Sequence, residues 1–140
     1  MANYTESFMS VILPTSKVED FKRLFIGNDD SDEERDTFNR TYLIDMVIDA
    51  QNKELTLLRI DFECAWSIYS CMLEDNEGFL NLEDVIRDFS IQKLAIYSKE
   101  TGIGFEESVM FDRDEDEELQ YDSRDLFYDP HVMNLKQECM

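Results

Sequence analysis

Alternation of apolar and polar residues predicts most of this chain as strands. Residues 6–13 form a short apolar-rich run, and residues 41–49 and 56–64 repeat with a period of two on either side of a turn at residues 51–53. Successive side chains of a strand point to opposite faces, so this alternation is typical of strands with one buried and one solvated face. The second and third runs therefore predict a β-hairpin.

Two further strands are predicted nearer the C-terminus, at residues 91–98 and 103–111. The connection between them, residues 99–102, has the length of a hairpin turn and contains a glycine. Short connections of this kind join antiparallel neighbours. The sequence thus predicts a second hairpin in the same sheet.

Helical spacing appears in two regions between these strands. In the first, Ser16 and Glu19 are placed as a capping box ahead of a predicted buried stripe. The stripe consists of Val18, Phe21, Leu24 and Phe25. The second region covers residues 65–75 and 81–89 with Asn81 as an N-cap, and the pattern leaves open whether it is one interrupted helix or two.

The resulting order is β-α-β-β-α-β-β, which favours an α+β fold. We expect a two-layer, ferredoxin-like sandwich with a mainly antiparallel sheet and two helices. With 140 residues, the chain has the length of a single domain. Residues 1–111 are predicted to form this domain, and residues 112–140 an acidic loop and C-terminal extension that pack on it.

A few residues in this arrangement resemble the YubB-type ferredoxin-like domain of plasmids and phages. The resemblance depends on the second predicted hairpin and on a strand-to-helix junction. Its residues are Phe62, Ala65, Trp66, Ser67, Gly104 and Phe105. The chain departs from the family pattern because it lacks the proline after Trp-Ser and carries two acidic insertions. The resemblance implies a fold and a mobile-element origin, and it implies no catalytic residues.

Charge changes this picture more than any motif does. Lys and Arg number 13 and Asp and Glu number 33, which gives a net charge of −20. Such a protein repels nucleic acid and anionic membranes, so we expect neither as a direct partner. The apolar run at residues 8–13 is too short for a signal sequence or a membrane span, which favours the cytoplasm of the host cell.

No residue pattern indicates catalysis or a cofactor. Cys64, Cys71 and Cys139 form no C-x-x-C pair, and packing is the expected role of the thiols. His131 is the single histidine and lacks a recognisable partner in a catalytic motif. We therefore expect a protein that is not an enzyme.

Residues 112–118 alternate like the beginning of a calcium loop. The position that requires glycine is Glu117, and the position that requires a bidentate glutamate is Ser123. We therefore predict no metal site, although a divalent-metal-binding protein remains the third alternative.

The acidic residues themselves are the predicted partner-binding site. They occupy two loops, residues 29–36 and 112–118, and the solvated faces of the first hairpin, with three aromatic residues as apolar anchors. The predicted contacts are Asp29, Asp30, Asp32, Glu33, Glu34, Asp36, Asp45, Asp49, Asp61, Glu63, Asp112, Asp114, Glu115, Asp116, Glu117, Glu118, Tyr121, Phe127 and Tyr128.

Rows of carboxylates at strand spacing imitate nucleic-acid phosphates in a coarse way. The function expected from this is that of a phage- or plasmid-encoded DNA mimic. It would bind the basic nucleic-acid-binding surface of a host defence complex, such as a CRISPR effector or a restriction enzyme. The alternative is an interaction or regulatory module of the mobile element whose acidity is incidental.

Overall fold

A computed structural model describes residues 4–25, 37–65, 67–100, 105–114 and 116–122, with the backbone alone for residues 105, 116, 117 and 122. One antiparallel sheet of six strands dominates this part of the chain. Its strands are β1 (Tyr4–Pro14), β2 (Thr41–Gln51), β3 (Leu55–Ala65), β4 (Lys93–Glu100), β5 (Phe105–Asp112) and β6 (Asp116–Asp122). Their order across the sheet is β2-β3-β1-β4-β5-β6.

The fold is α+β and mostly sheet, with more strands than the predicted ferredoxin-like sandwich. All five strands of the prediction are present, close to their expected bounds. The additional strand is β6, which pairs with β5 where the sequence predicted an acidic loop. The predicted loop at residues 112–118 is therefore wrong for residues 116–118, which belong to a strand whose Leu119 and Tyr121 alternate with polar residues and pack against the core.

The helical segments are short and lie on one face of the sheet. A 3₁₀ turn, Thr15–Lys17, leads into α1 (Val18–Lys22), and neither segment has a side-chain N-cap. The predicted capping box is therefore wrong, since Ser16 lies inside the 3₁₀ turn. The buried stripe of Val18, Phe21, Leu24 and Phe25 is confirmed.

The second helical region forms two helices, which answers the question that the sequence left open. A π-helical turn spans Tyr69–Leu73, and α2 spans Leu82–Asp88. Asn81 is the N-cap of α2, as predicted, and its side-chain oxygen accepts the Asp84 N–H at 2.9 Å. At the other end, Ser90 adopts a φ of 52°, and the Ile91 N–H bonds to the Ile86 carbonyl at 3.1 Å. This is a Schellman ending with serine at the usual glycine position.

The hydrophobic core lies between the helices and one face of the sheet. Odd-numbered residues of β1 and even-numbered residues of β3 and β4 point into it, among them Val11, Leu58 and Ile96. Aromatic rings fill the space beneath α1, where the rings of Phe25 and Phe62 lie 5.5 Å apart. We call this the helix-covered face of the sheet, and the opposite side the open face.

None of the helices among the described residues is long and apolar enough to cross a membrane.

Candidate partner-binding surface

The hairpin of β2 and β3 carries the acidic residues that the sequence placed on a solvated strand face. Its register is regular over residues 45–48 and shifts on either side of them, between Leu43 and Asp45 and between Ile48 and Ala50. Each shift places one residue of β2, Ile44 or Asp49, outside the regular cross-strand register. Such bulges change which face the following side chains occupy.

Two pairs of carboxylates stand directly opposite each other on the open face. Asp45 of β2 is the cross-strand partner of Asp61 of β3. Glu63 of β3 is the partner of Glu6 of β1. Opposed residues of antiparallel strands point to the same side with their Cβ atoms about 4.5–5.5 Å apart. Three neighbouring strands therefore present one group of four carboxylates, Glu6, Asp45, Asp61 and Glu63, which we call the acidic face.

These carboxylates are not neutralised within the described part of the chain. None of the four has a Lys or Arg nitrogen within ion-pair distance there, whereas exposed acids on the helices, such as Asp84 with Arg87 at 3.1 Å, do. Asp45 accepts only the neighbouring Met46 N–H, at 3.0 Å. No ion pair within the described residues therefore fixes these carboxylates, and they can bind another molecule.

The surroundings of the acidic face limit its extent. The exposed cations Arg59 and Lys99 lie on the same side of the sheet, Arg59 opposite Val47 and Lys99 opposite Glu6. Towards the other end of the open face, Ile12 and Leu57 are buried in a small apolar cluster. The acidic face is thus a patch at one end of the sheet.

Two tyrosines border this patch. Tyr4 of β1 is 47% exposed, and its ring meets that of Tyr42 edge to face, with centroids 6.0 Å apart. Tyr42 stands opposite Glu63. Aromatic residues beside charged groups often anchor protein interfaces, because they bury a large area at a small entropic cost.

Several predicted contact residues lie outside the described residues. Among the acids these are Asp29, Asp30, Asp32, Glu33, Glu34, Asp36 and Glu115, and the same holds for Phe127, Tyr128, Trp66, His131 and Cys139. For Asp116 and Glu117, only the backbone position in β6 is described. Asp49 lies in the second bulge of β2 and is half-buried, so it does not extend a regular row from Asp45 as predicted.

The predicted contacts at residues 112–118 do not form one acidic loop. Asp112 ends β5, and only 11% of its side chain is exposed, because it forms an ion pair with Lys93 at 3.5 Å. It also accepts the Asp114 N–H at 3.0 Å. Asp112 therefore stabilises the end of β5 and has little surface left for a partner, while Asp114 and Glu118 are exposed.

Tyr121 is not the exposed anchor that the sequence suggested. Its ring packs against Tyr69 with centroids 5.2 Å apart, and its hydroxyl donates to Glu107 Oε1 at 2.7 Å. Glu107 is 1% exposed and also accepts the N–H groups of Ile68 at 2.9 Å and Tyr69 at 3.3 Å. This carboxylate joins β5, β6 and the π-helical turn, which is a structural role.

The two described cysteines are both buried, as expected. Cys71 donates to the Ala65 carbonyl at 2.9 Å, and Thr5 contacts the Cys64 sulfur at 2.8 Å. A hydrogen bond from the Cys64 thiol lowers the pKa of Cys71 to about 7, and the same contact together with burial raises the pKa of Cys64. The two thiols therefore titrate as a coupled pair.

A Cys64→Ala variant tests this interaction, in a Cys139→Ser background. Without the donor, the pKa of Cys71 is expected to rise from about 7 to at least the ordinary thiol value of about 8.5. Because the folded-state pKa of Cys71 is depressed, its stabilisation is present above pH ~8.5 and is lost as the pH falls through 7. The ultraviolet absorbance of the thiolate measures the titration of Cys71 in the Cys139→Ser protein and in Cys64→Ala/Cys139→Ser. Identical titration curves for these two proteins would contradict the hydrogen bond between Cys64 and Cys71.

No metal centre or catalytic constellation is evident in the described ranges. They contain no group of three or more His, Cys, Asp or Glu residues that could hold a metal ion. A groove of about 430 Å³ lies beside α2, lined by Glu83, Ile86, Phe111, Glu118 and Leu119. Among the described residues, this lining contains two carboxylates and three apolar side chains, with no serine, cysteine or histidine to act as a nucleophile.

Sequence reasoning missed three residues of the acidic face and its border. Glu6 was treated only as the start of a strand, and Tyr4 and Tyr42 were not considered as anchors. Tyr4 and Glu6 alternate along β1 with the buried Thr5 and Ser7, which places them on the open face. The sequence does contain this alternation. The pairing of Glu6 with Glu63 depends on the register of two strands far apart in the chain, which no local pattern specifies.

Comparison with known proteins adds no assignment: no family model, no curated protein and no solved structure matches this chain.

Proposed function

We propose that this protein inhibits a nucleic-acid-handling complex of its host by binding the basic surface that normally holds DNA or RNA. The observation that carries the proposal is the acidic face, in which Asp45 opposes Asp61 and Glu6 opposes Glu63. Like charges directly opposite on neighbouring strands destabilise a sheet by roughly 0.2–1 kcal/mol per pair. A fold that keeps two such pairs side by side gives up some stability for a charged surface, although Lys99 opposite Glu6 offsets part of the repulsion.

The spacing of these carboxylates supports a nucleic-acid mimic. Asp61 and Glu63 are two residues apart on β3, which places their side chains about 6.6 Å apart on one face. Duplex phosphates repeat every ~3.4 Å of axis along each strand, and neighbouring phosphates are farther apart than this rise because the strand winds around the axis, so the carboxylate separation is of the order of one phosphate step. Lys and Arg side chains arranged for phosphates can therefore reach carboxylates at this interval.

The net charge of −20 adds a long-range contribution. It attracts basic surfaces, raises the rate of association and makes the complex sensitive to salt. Blocking the surface requires no chemistry, so the proposed protein is an inhibitor without catalytic activity or a cofactor. Its working compartment is that of its target, the host cytoplasm.

We further propose a mobile-element origin and a ferredoxin-like core for the fold. The helical connections support the ferredoxin-like core. The connection through α1 joins β1 to β2 with β3 between them in the sheet, and the connection through α2 joins β3 to β4 with β1 between them. Such split βαβ units are a ferredoxin-like feature. On this view β5 and β6 are extensions. Phe62 and Ala65 near the end of β3, and Ser67 just after it, resemble the YubB-type domain.

A panel of purified DNA-binding defence complexes, including RNA-guided nucleases and restriction endonucleases, tests the proposal. At low ionic strength the protein is expected to reduce DNA binding and cleavage by at least one of them by about tenfold, because it occupies the basic groove. Loss of cleavage with unchanged DNA binding would point to the regulatory-module alternative. If no complex in the panel loses DNA binding, the proposal is wrong.

A further inference from the structure

We infer that the outer edge of β2 is a docking strand, to which an extended segment of the basic partner adds as a further strand of the sheet. This inference rests on the proposed function for the charge of the partner, and it adds a mode of binding that the acidic face alone does not supply. Strand addition of this kind derives affinity from main-chain hydrogen bonds and specificity from alternate side chains.

The position of β2 makes such an addition possible. It is 11 residues long and stands at one end of the strand order, and within the described part of the chain it pairs with β3 alone. An edge strand leaves a row of main-chain N–H and C=O groups on its outer side. Proteins usually protect long edges with charges, proline or bulges. The two bulges of β2 leave residues 45–48 as the regular stretch of its edge to which a further strand can add.

Three branched aliphatic side chains of β2 are left in solvent. Ile44 is 58% exposed, Val47 is 50% exposed and Ile48 is 48% exposed. Val47 points to the open face opposite Arg59, Ile48 points to the helix-covered side opposite Leu58, and Ile44 lies in the first bulge. A partner lying flat on one face would contact only one of these sides. An added strand contacts both, because its own side chains alternate across the sheet.

The two sides of β2 specify the chemistry of the added strand. On the open face its side chains come next to Asp45 and the carboxylate of Asp61 behind it. On the helix-covered side they come next to Ile48 and Met46. The matching segment therefore alternates Lys or Arg with aliphatic residues. A second copy of this chain fits poorly, since each copy brings a charge of −20 and its own Asp45 to the junction.

A synthetic peptide in which Lys and Val alternate provides the test, with fluorescence anisotropy as the measurement. The wild-type protein is expected to bind it roughly tenfold more tightly than the same peptide N-methylated at alternate backbone nitrogens, which keeps charge and side chains but removes main-chain donors. An Ile44→Thr/Val47→Thr variant, which retains β-propensity, should lose roughly tenfold in affinity. Phe79→Thr is the control, because Phe79 is 43% exposed in the connection before α2.

Each outcome bears on the inference separately from the proposed function. Equal binding of both peptides would show that charge alone attracts them, and the docking strand would be wrong while the proposed function stands. The same holds if neither peptide binds but the protein still displaces DNA from a basic complex. Self-association that Ile44→Thr/Val47→Thr abolishes would identify a second copy as the occupant and overturn the inference.

Discussion

An Asp45→Asn/Glu6→Gln variant is expected to be more stable than the wild type and to bind its basic partner about tenfold more weakly. The two substitutions leave Asp61 and Glu63 in place but remove one charge from each opposed pair. Relief of the two repulsions, less the attraction to Lys99 that Glu6→Gln removes, should add up to roughly 1 kcal/mol to the free energy of unfolding at low salt. Denaturant unfolding measures this gain, which should shrink as salt screens the charges.

A matched control variant distinguishes the effect of the acidic face on partner binding from the effect of the net charge. Glu74→Gln/Glu77→Gln removes the same number of charges from exposed residues in the connection between the π-helical turn and α2. It should leave stability nearly unchanged and weaken partner binding only slightly, because charges far from the contact act through the screened long-range field. Equal effects of the two double variants on binding would mean that net charge, and not the acidic face, is recognised.

Glu107→Ala is expected to destabilise the protein by roughly 3–4 kcal/mol, the largest effect of a single substitution considered for this fold. The substitution removes the acceptor of the Tyr121 hydroxyl at 2.7 Å and of the Ile68 N–H at 2.9 Å. It leaves the buried Ile68 N–H and the part-buried Tyr121 hydroxyl without this acceptor. Thermal or denaturant unfolding provides the measurement.

Glu107→Gln is the informative companion of this variant. It keeps the shape and one accepting oxygen, so about half of the destabilisation should be recovered. Because Glu107 points to the helix-covered face, both variants should bind the partner as the wild type does at temperatures where they are folded. Weaker binding by folded Glu107→Gln would place part of the recognition surface near β5 and β6, contrary to the proposal.

The fold was predictable wherever hydrophobic alternation stayed local. The β2–β3 hairpin and the helical stripe of Phe21 and Phe25 follow directly from periods of 2 and 3.6 residues. Strand β6 was missed because acidic residues surround Leu119 and Tyr121. A high density of charge is typical of a solvated loop, although here alternate residues pack against the core. Ser16 was misread because a 3₁₀ turn precedes the helix and replaces the expected cap.

The candidate site was only partly predictable, because it depends on register. Asp61 and Glu63 were placed correctly on one solvated face by their alternation with Phe62. The bulges of β2 could not be read from the sequence, and they decide that Asp45 stands opposite Asp61 while Asp49 does not continue the row. Glu6 joins the group only through the long-range pairing of β1 with β3.

The most direct test of the central claim is displacement of a labelled DNA duplex from a basic complex that the protein inhibits. The titration compares the wild type with Asp45→Asn/Glu6→Gln at low and at physiological ionic strength. We predict that the wild type displaces DNA at about tenfold lower concentration than the variant at low salt, and that the difference narrows as salt increases. Displacement that is equal for both proteins and independent of salt would contradict the claim.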